Sequence, residues 1–116
     1  MTLSQLCADL IAADKGLCED SGYQINSEAI WTRIDLANLA VLDELGARTR
    51  VSDFQYETLC RFYATRFRLP TIYISNLGLK ELEQLYDDRA TSRLGSGTVA
   101  VVEAPDQRTQ THWSRT

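Results

Sequence analysis

Two acidic residues, Asp43 and Glu44, directly follow the short apolar run of residues 39–42. A continuous apolar run is typical of a strand that is buried on both faces of a parallel sheet. In open α/β sheets, ligands bind just beyond the carboxyl ends of the strands. A carboxylate in that place can hold Mg²⁺ while its neighbour orients an attacking water, as phosphoryl transfer requires. The alternative interpretation is that both acids are solvated at the start of a loop.

A polar pair, Ser75 and Asn76, stands at the end of the next β-rich run, residues 71–75. A hydroxyl or amide in that position can hydrogen-bond a γ-phosphate or an attacking water. Asn is also common in the turns that follow strands, so an ordinary turn is the alternative. The pair is a second candidate for phosphate chemistry.

Two arginines, Arg89 and Arg93, are four residues apart and therefore share one face of a predicted helix. An arginine held on a helix can project into the phosphate site of a neighbouring subunit and stabilise the charge of the transition state. The alternative is that they form ordinary ion pairs with Asp87, Asp88 or an acid of a partner. The pair is a third candidate for phosphate chemistry.

The composition is that of a globular protein, because 44% of the 116 residues are hydrophobic and 24% are charged. A net charge of −4 argues against a surface that is basic overall and built for nucleic acid. No apolar run reaches the roughly 18–20 residues that cross a bilayer. Three widely spaced cysteines without a CxxC pair argue against a disulfide framework or a zinc site. We therefore expect a cytoplasmic protein without membrane contact.

Helical and strand patterns alternate along the chain in the order α–α–β–α–β–α–α–β. This order predicts an α/β layer fold with about three mainly parallel strands flanked by helices. The predicted strands are residues 39–42, 71–75 and 98–102. Three of the predicted helices are capped by Thr2, Ser27 and Ser52, two short ones cover residues 79–86 and 88–94, and a surface loop covers residues 16–26. We expect one domain over residues 1–104 and a polar, disordered tail over residues 105–116.

The helix that Ser52 caps is predicted to run to about Arg68, because Pro70 stops it. Its arginines, Arg61, Arg66 and Arg68, alternate with aromatic residues of the predicted core. Arginines in such a pattern form a solvated face in most proteins. The alternative is that they contact single-stranded DNA through its phosphates and bases.

The three candidate motifs, taken in their order, resemble one family. Residues 39–47 (LAVLDELGA) resemble a Walker B strand, residues 70–77 (PTIYISNL) a sensor-1 strand, and residues 88–94 (DRATSRL) an arginine-finger helix. This order resembles the AAA+ ATPases of the DnaC/IstB type, which are bacterial and phage replicative helicase loaders and transposition helper ATPases. The resemblance covers about residues 3–108 and implies a partial AAA+ domain of the P-loop type.

The resemblance also implies a role for each candidate residue. Asp43 would be the metal-associated carboxylate, and Glu44 would polarise the attacking water. Asn76 would be the sensor-1 polar group, and Ser75 would bind the nucleotide beside it. Arg93 would be the arginine finger acting in trans, Arg89 its companion in the nucleotide site, and Arg108 a loose sensor-like arginine. The implied cofactors are ATP and Mg²⁺. The implied partners are a replicative helicase or a transposase, neighbouring AAA+ subunits and single-stranded DNA.

One motif of the family is missing from this sequence. Members carry a phosphate-binding loop, GxxxxGK[ST], before Walker B, and its backbone amides and lysine hold the β- and γ-phosphates. None of the six glycines here is followed directly by a lysine. The chain starts at what resembles the helix after the second strand of the fold. We therefore expect weak or no nucleotide binding, and no appreciable ATP hydrolysis, by this chain alone.

Three hypotheses about function remain open at this point. The first is the C-terminal half of a truncated or split loader ATPase that serves DNA replication. The second is a non-catalytic interaction module that inserts among complete AAA+ subunits and presents Arg93 to a neighbour's ATP. The third is a gene fragment that folds poorly, because a missing central strand leaves an apolar edge of the sheet open.

Overall fold

The computed structural model of this chain describes residues 1–15, 19–20, 23–24, 26–47 and 50–102. It is an α/β structure with a two-stranded parallel sheet and a separate antiparallel pair of very short strands. The elements in chain order are α1 (Leu3–Asp14), β1 (Glu19–Asp20), β2 (Tyr23–Gln24), α2 (Ser27–Leu36), β3 (Ala40–Leu45), α3 (Asp53–Thr65), β4 (Thr71–Ser75), α4 (Leu79–Leu85) and α5 (Asp88–Leu94). None of the described helices is long and apolar enough to cross a membrane. The predicted tail, with Arg108, lies outside the described residues.

The first helix forms as the sequence predicts. The Thr2 hydroxyl accepts a hydrogen bond from the backbone N–H of Gln5 at 3.0 Å and so caps α1. The Gln5 side chain donates to Asp9 at 2.8 Å instead of turning back to the cap. Apolar residues of α1 that reach the core include Leu3, Leu6, Cys7 and Leu10. Ile11, one residue after Leu10, is 44% exposed.

The second helix has a different cap from the one predicted. The side chain of Asn26 accepts from the N–H of Ala29 at 2.9 Å, so Ser27 is the first helical residue. Asn caps helices as well as Ser does, and the two positions differ by one residue. Within the stretch that the sequence predicts as a loop, β1 and β2 pair antiparallel, with Glu19 opposite Gln24.

The parallel sheet has one apolar face that is open, which corrects the expectation of strands buried on both faces. In register, Ala40 lies opposite Thr71 and Leu42 opposite Tyr73. Along β4 the exposure alternates, and Ile72 is 48% exposed. The reason is that α1, α2 and α3 contact one another and so pack together on the side of the sheet where Leu42 is buried.

The third predicted strand is not formed. Residues 98–102 have no strand pairing within the described chain, and Val99, Val101 and Val102 are 51%, 81% and 87% exposed. The parallel sheet of the described residues therefore contains β3 and β4 alone. The backbone N–H and C=O groups of a strand bond to a neighbouring strand, and no described strand lies beside this segment.

The core lies between the sheet and the helices. Leu42 of β3 and Phe62 of α3 are fully buried at its centre. The ring of Phe62 meets Tyr73 of β4 edge-on, with the ring centres 5.9 Å apart. The remaining buried apolar residues around them include Leu6, Leu10, Trp31, Ile34, Leu45 and Leu59. This packing holds α3 across the sheet and fixes the direction of both strands.

Arg66 contradicts both predictions made for the arginines of α3, because it is neither solvated nor able to reach DNA. Its side chain is only 2% exposed. Its guanidinium donates to the backbone oxygens of Ile34 at 3.0 Å and Ala37 at 2.6 Å, and also to that of Pro70. Its Nε donates to the hydroxyl of Thr71 at 3.2 Å. A buried charge is tolerated when its donors are satisfied in this way.

The other two arginines of this stretch stay at the surface. Arg61 pairs with Glu28 at 3.3 Å and lies over the ring of Trp31, 4.5 Å from its centre. The helix α3 ends at Thr65, earlier than the sequence predicts. Arg68 has a φ of 65°, a left-handed conformation that no helix continues through, so the helix ends before Pro70 can stop it.

We predict that Arg66→Met lowers the free energy of unfolding by about 3 kcal/mol or more, because the carbonyls of Ile34, Ala37 and Pro70 lose their charged donor. Chemical denaturation followed by circular dichroism measures the change. Arg50→Met is the matched control, since Arg50 is exposed and its loss should change stability little. Equal stability of the two variants would contradict the structural role of Arg66.

Candidate functional site

The two acids lie at the carboxyl end of β3. The structure places them inside the strand, because β3 extends to Leu45, whereas the sequence places them just beyond it. Asp43 is half-buried; one carboxylate oxygen accepts from the N–H of Glu44 at 2.6 Å, and its own N–H donates to the carbonyl of Met1 at 2.8 Å. Glu44 is exposed and has a φ of 59°, where the register of the two strands shifts.

Ser75 and Asn76 lie at the same edge of the sheet as the acids, because β3 and β4 are parallel neighbours. The hydroxyl of Ser75 donates to the carbonyl of Leu45 at 2.6 Å and accepts from the N–H of Leu77 at 3.0 Å. Its proton therefore ties the two strand ends together and is not free for a phosphate oxygen. Asn76 is exposed in the turn after β4, and no described residue hydrogen-bonds its side chain.

The turn after β3 depends on Gly46. Its φ of 78° is in the left-handed region, and a Cβ there would lie 2.5 Å from a methyl carbon of Leu77. Only glycine lets the turn pack against the chain that follows β4. The carboxyl ends of the two strands are therefore held together both by this contact and by the hydrogen bond of Ser75.

A shallow cleft opens beside Glu44, between the first turns of α1 and α3. The volume within it that is accessible to water is about 10 Å³. Its walls are formed by Leu3, Ser4, Glu44, Gly46, Ala47, Val51, Gln55 and Tyr86. Pockets that bind small molecules usually measure about 300–1,000 Å³. The described residues alone therefore do not enclose a nucleotide.

A magnesium ion held mainly by protein ligands does not fit this edge. Among the described residues no group of three or more His, Cys, Asp or Glu is placed to hold a metal ion. Mg²⁺ at nucleotide sites is commonly bound by one or two carboxylates together with phosphates and water. Asp43, whose second carboxylate oxygen has no partner in the described chain, and Glu44 fit that smaller contribution.

The two arginines of α5 form no ion pair with Asp87 or Asp88 within the part of the chain that the structure describes. Both side chains are exposed. Arg93 borders a small apolar groove between α5 and α3, formed with Leu59, Cys60, Tyr63, Ala90 and Leu94. The pKa of Asp87 is lowered mainly by the hydrogen bond from the N–H of Ala90, and the charge of Arg89 adds to this effect. An ion pair with an acid of a partner stays a prediction.

Arg93 borders a different depression from the one beside Glu44. It lies beside Cys60 in the groove between α5 and α3, whereas the cleft of Glu44 is bordered by Gln55. Arg89 lines neither of these two depressions. The structure brings Asp43, Glu44, Ser75 and Asn76 to one edge of the sheet, and it places Arg93 outside the cleft that Glu44 lines.

A strong polar contact that sequence reasoning missed joins α3 to α5. The hydroxyl of Tyr56 donates to Asp87 at 2.6 Å, and the other oxygen of Asp87 caps α5 by accepting from the N–H of Ala90 at 2.7 Å. The bond to the carboxylate raises the pKa of Tyr56 to about 12, and the bonds from Ala90 and Tyr56 lower the pKa of Asp87. In the sequence Tyr56 reads as an apolar contact of the helix start, so nothing local points to Asp87.

Tyr86 is a second residue that the sequence did not assign to the site. It reads there as the last apolar residue of a short helix, but the structure places it in the wall of the cleft beside Glu44. Its partial burial raises the pKa of its hydroxyl. A tyrosine at a helix end carries no signal that would have distinguished this position from the core.

Comparison with known proteins yields no relative for this chain: no family model matches it, and no curated protein matches it significantly. The resemblance to DnaC/IstB-type ATPases therefore rests on the three motifs and their order.

We predict that Tyr56→Phe lowers the melting temperature most between about pH 4 and pH 10. The stabilisation from Tyr56 is present below its unfolded pKa near 10 and is lost as the pH rises through about 12. The stabilisation from Asp87 is present above its unfolded pKa of 3.8 and is lost as the pH falls through its lowered value. Thermal melting at a series of pH values measures the difference from the parent chain.

Tyr73→Phe is the control for this series. Burial of the side chain raises the pKa of Tyr73 to about 12, and no carboxylate contributes to this shift. The difference between this variant and the parent should therefore persist in acid, whereas that of Tyr56→Phe should shrink. A difference for Tyr56→Phe that stays constant in acid would contradict the role of Asp87.

Proposed function

We propose that this chain supplies the Walker B, sensor-1 and arginine-finger region of a DnaC/IstB-like AAA+ ATPase that loads a helicase in DNA replication. The observation that carries the proposal is the parallel pairing of β3 with β4, which brings the acids and Asn76 to one edge of the sheet. In this proposal a second polypeptide segment supplies the phosphate-binding loop. If the ATPase is a transposition helper of the IstB type, the proposal is unchanged except that a transposase replaces the helicase as the partner.

The described side chains suit distinct tasks at such a nucleotide site. The free carboxylate oxygen of Asp43 can contact a magnesium ion that the phosphates of ATP hold. The exposed carboxylate of Glu44 can accept a proton from an attacking water. The exposed amide of Asn76 can donate to a γ-phosphate oxygen. When bound, Mg²⁺ would neutralise charge that develops on the phosphates.

Three features support the need for a second segment. The cleft beside Glu44 is too small to enclose a nucleotide, and the sequence contains no glycine-lysine pair. One edge of β4 is also without a neighbouring strand in the described chain. A fold with these features can position acids and sensor groups but holds no triphosphate by its own backbone amides.

A second candidate function follows from the position of Arg93. The arginine is exposed on α5, forms no ion pair within the described residues and does not line the cleft beside Glu44 of its own chain. An arginine so placed is suited to act on a nucleotide bound by another molecule. The chain would then be a non-catalytic module that donates Arg93 to complete AAA+ subunits.

Fragment complementation tests the first proposal. The 116-residue chain is mixed with a fragment of a DnaC/IstB-type ATPase that carries GxxxxGK[ST], and ATP hydrolysis is measured. We expect activity in the mixture and none in either part alone. Glu44→Gln should lower the rate of the mixture by about 100-fold or more, because it removes the acceptor for the proton of water. Glu57→Gln, at an exposed position of α3, is the matched control.

Calorimetric titration of the chain alone with ATP and Mg²⁺ completes this test. We expect no binding in the micromolar range, because the described fold has no phosphate cradle. Micromolar affinity of the isolated chain, or a mixture that is equally active with Glu44→Gln, would refute the proposal.

The second candidate is tested by adding the chain to a complete AAA+ ATPase of the same type. We expect the turnover number to change with the parent chain and to stay at its basal value with Arg93→Ala. Arg50→Ala, at another exposed position, should act as the parent chain does. If the parent chain and Arg93→Ala have the same effect, Arg93 does not act as a finger.

A further inference from the structure

The outer edge of β4 carries unpaired backbone groups. On the inner side, the N–H of Ala40 donates to the carbonyl of Pro70 at 3.1 Å. Because successive residues of a strand point their N–H and C=O groups to opposite sides, those of Thr71 and Tyr73 point away from β3. No described residue bonds them. The outer edge of β3, by contrast, is partly covered, since Thr2 forms a parallel bridge with Asp43.

This edge lacks the features that usually prevent pairing with another strand. Charged side chains, prolines within the strand and bulges toward the edge are the common protections. The sequence of β4, Thr-Ile-Tyr-Ile-Ser, has no charge and no proline. Two of its side chains, Ile72 and Ile74, are 48% and 42% exposed. The edge is therefore both apolar and open.

A second unpaired stretch of β character lies in the same chain. Residues 98–102, Thr-Val-Ala-Val-Val, are uncharged, and four of the five are β-branched, which favours strands. Val101 and Val102 are 81% and 87% exposed, and no described residue hydrogen-bonds the backbone of this segment. An exposed segment of this composition gains from adding to a sheet edge, since pairing satisfies its backbone and covers its valines.

The residues just before this segment lie near β4. The helix α5 contacts α3, and Ser96 approaches the hydroxyl of Tyr63 at 3.5 Å. Tyr63 in turn stacks on Tyr73 of β4, with ring centres 6.4 Å apart. Residues 98–102 therefore begin close to β4 of their own chain without pairing with it.

We propose that two copies of this chain form a dimer in which residues 98–102 of each copy add as a strand to the outer edge of β4 of the other. Within one copy the segment is not paired with β4, whose only partner in the described chain is β3, and Val101 is 81% exposed. Nothing lies within 4 Å of the position that a Cβ of Gly97 would take, so no described residue covers the start of the segment. The reciprocal exchange covers both apolar stretches at once.

The surfaces that meet in this dimer match in chemistry. Neither β4 nor residues 98–102 carry a charge, so pairing desolvates no ionised group. The same neutrality disfavours an acidic or basic partner, which would leave its charges unpaired at the edge. The dimer is a property of the chain by itself and does not rest on the proposed ATPase function. Because both the second copy and the second segment of the proposed ATPase would use the open edge of β4, only one of them occupies it at a time.

Light scattering after size exclusion, and sedimentation equilibrium, test the dimer from low micromolar to submillimolar concentrations of the full chain. We expect a dimer whose dissociation constant rises about tenfold or more in Val101→Lys and in Ile74→Lys, because a lysine blocks strand addition. Leu36→Lys is the matched control, since Leu36 is 74% exposed and lies outside both stretches. Circular dichroism verifies that each variant keeps its helices.

A mixture and an exchange measurement locate the contact. Val101→Lys keeps an intact β4 edge and Ile74→Lys keeps an intact segment, so an equimolar mixture should form more dimer than either variant alone.

In the parent dimer the amide hydrogens of Thr71 and Tyr73 should exchange slowly with solvent. A parent chain that is monomeric at every concentration, or a dimer that Val101→Lys does not weaken, would overturn the proposal. A monomer in which these amides are protected would show instead that the segment pairs within its own chain.

Discussion

The buried guanidinium of Arg66 is the interaction on which the arrangement of this chain depends. It joins three places that are far apart in sequence: the end of α2, the end of α3 and the start of β4. A charge that is 2% exposed has no water to solvate it, so the fold must keep those carbonyls where the donors can reach them. Pro70, one of the acceptors, also receives the N–H of Ala40. The anchor therefore sets the register in which β3 and β4 begin.

The register of β3 and β4 determines which residues are neighbours at the carboxyl end of the sheet. Because the strands are parallel, Asp43 and Glu44 come to the same edge as Ser75 and Asn76. That edge is fastened by the bond from Ser75 to the carbonyl of Leu45 and by the close approach of Gly46 to Leu77. The side chains that remain available for chemistry are those that the fold does not itself use, namely the acids and the amide.

The sheet is asymmetric in its edges and its faces. One outer edge is partly paired through Thr2, while that of β4 is open beside two exposed isoleucines. Two of the proposals about this chain use the open edge of β4. The proposed nucleotide site would need a further segment, because the described fold has no phosphate cradle. The proposed dimer would pair this edge with residues 98–102 of a second copy, which are uncharged and unpaired in the described chain.

The sequence by itself determined the elements whose signals are local. Thr2 and Ser52 cap α1 and α3 as their spacing predicts, and two apolar runs form the parallel strands, because caps and runs depend on neighbours within a few residues. The α/β class and the shared edge follow from the order of these elements. The tertiary structure alone decided that Arg66 is buried, that Tyr56 binds Asp87 and that residues 98–102 remain unpaired. Each of these outcomes depends on whether folding brings a partner from a distant part of the chain close to the residue. The neighbouring residues in the sequence do not indicate whether it does.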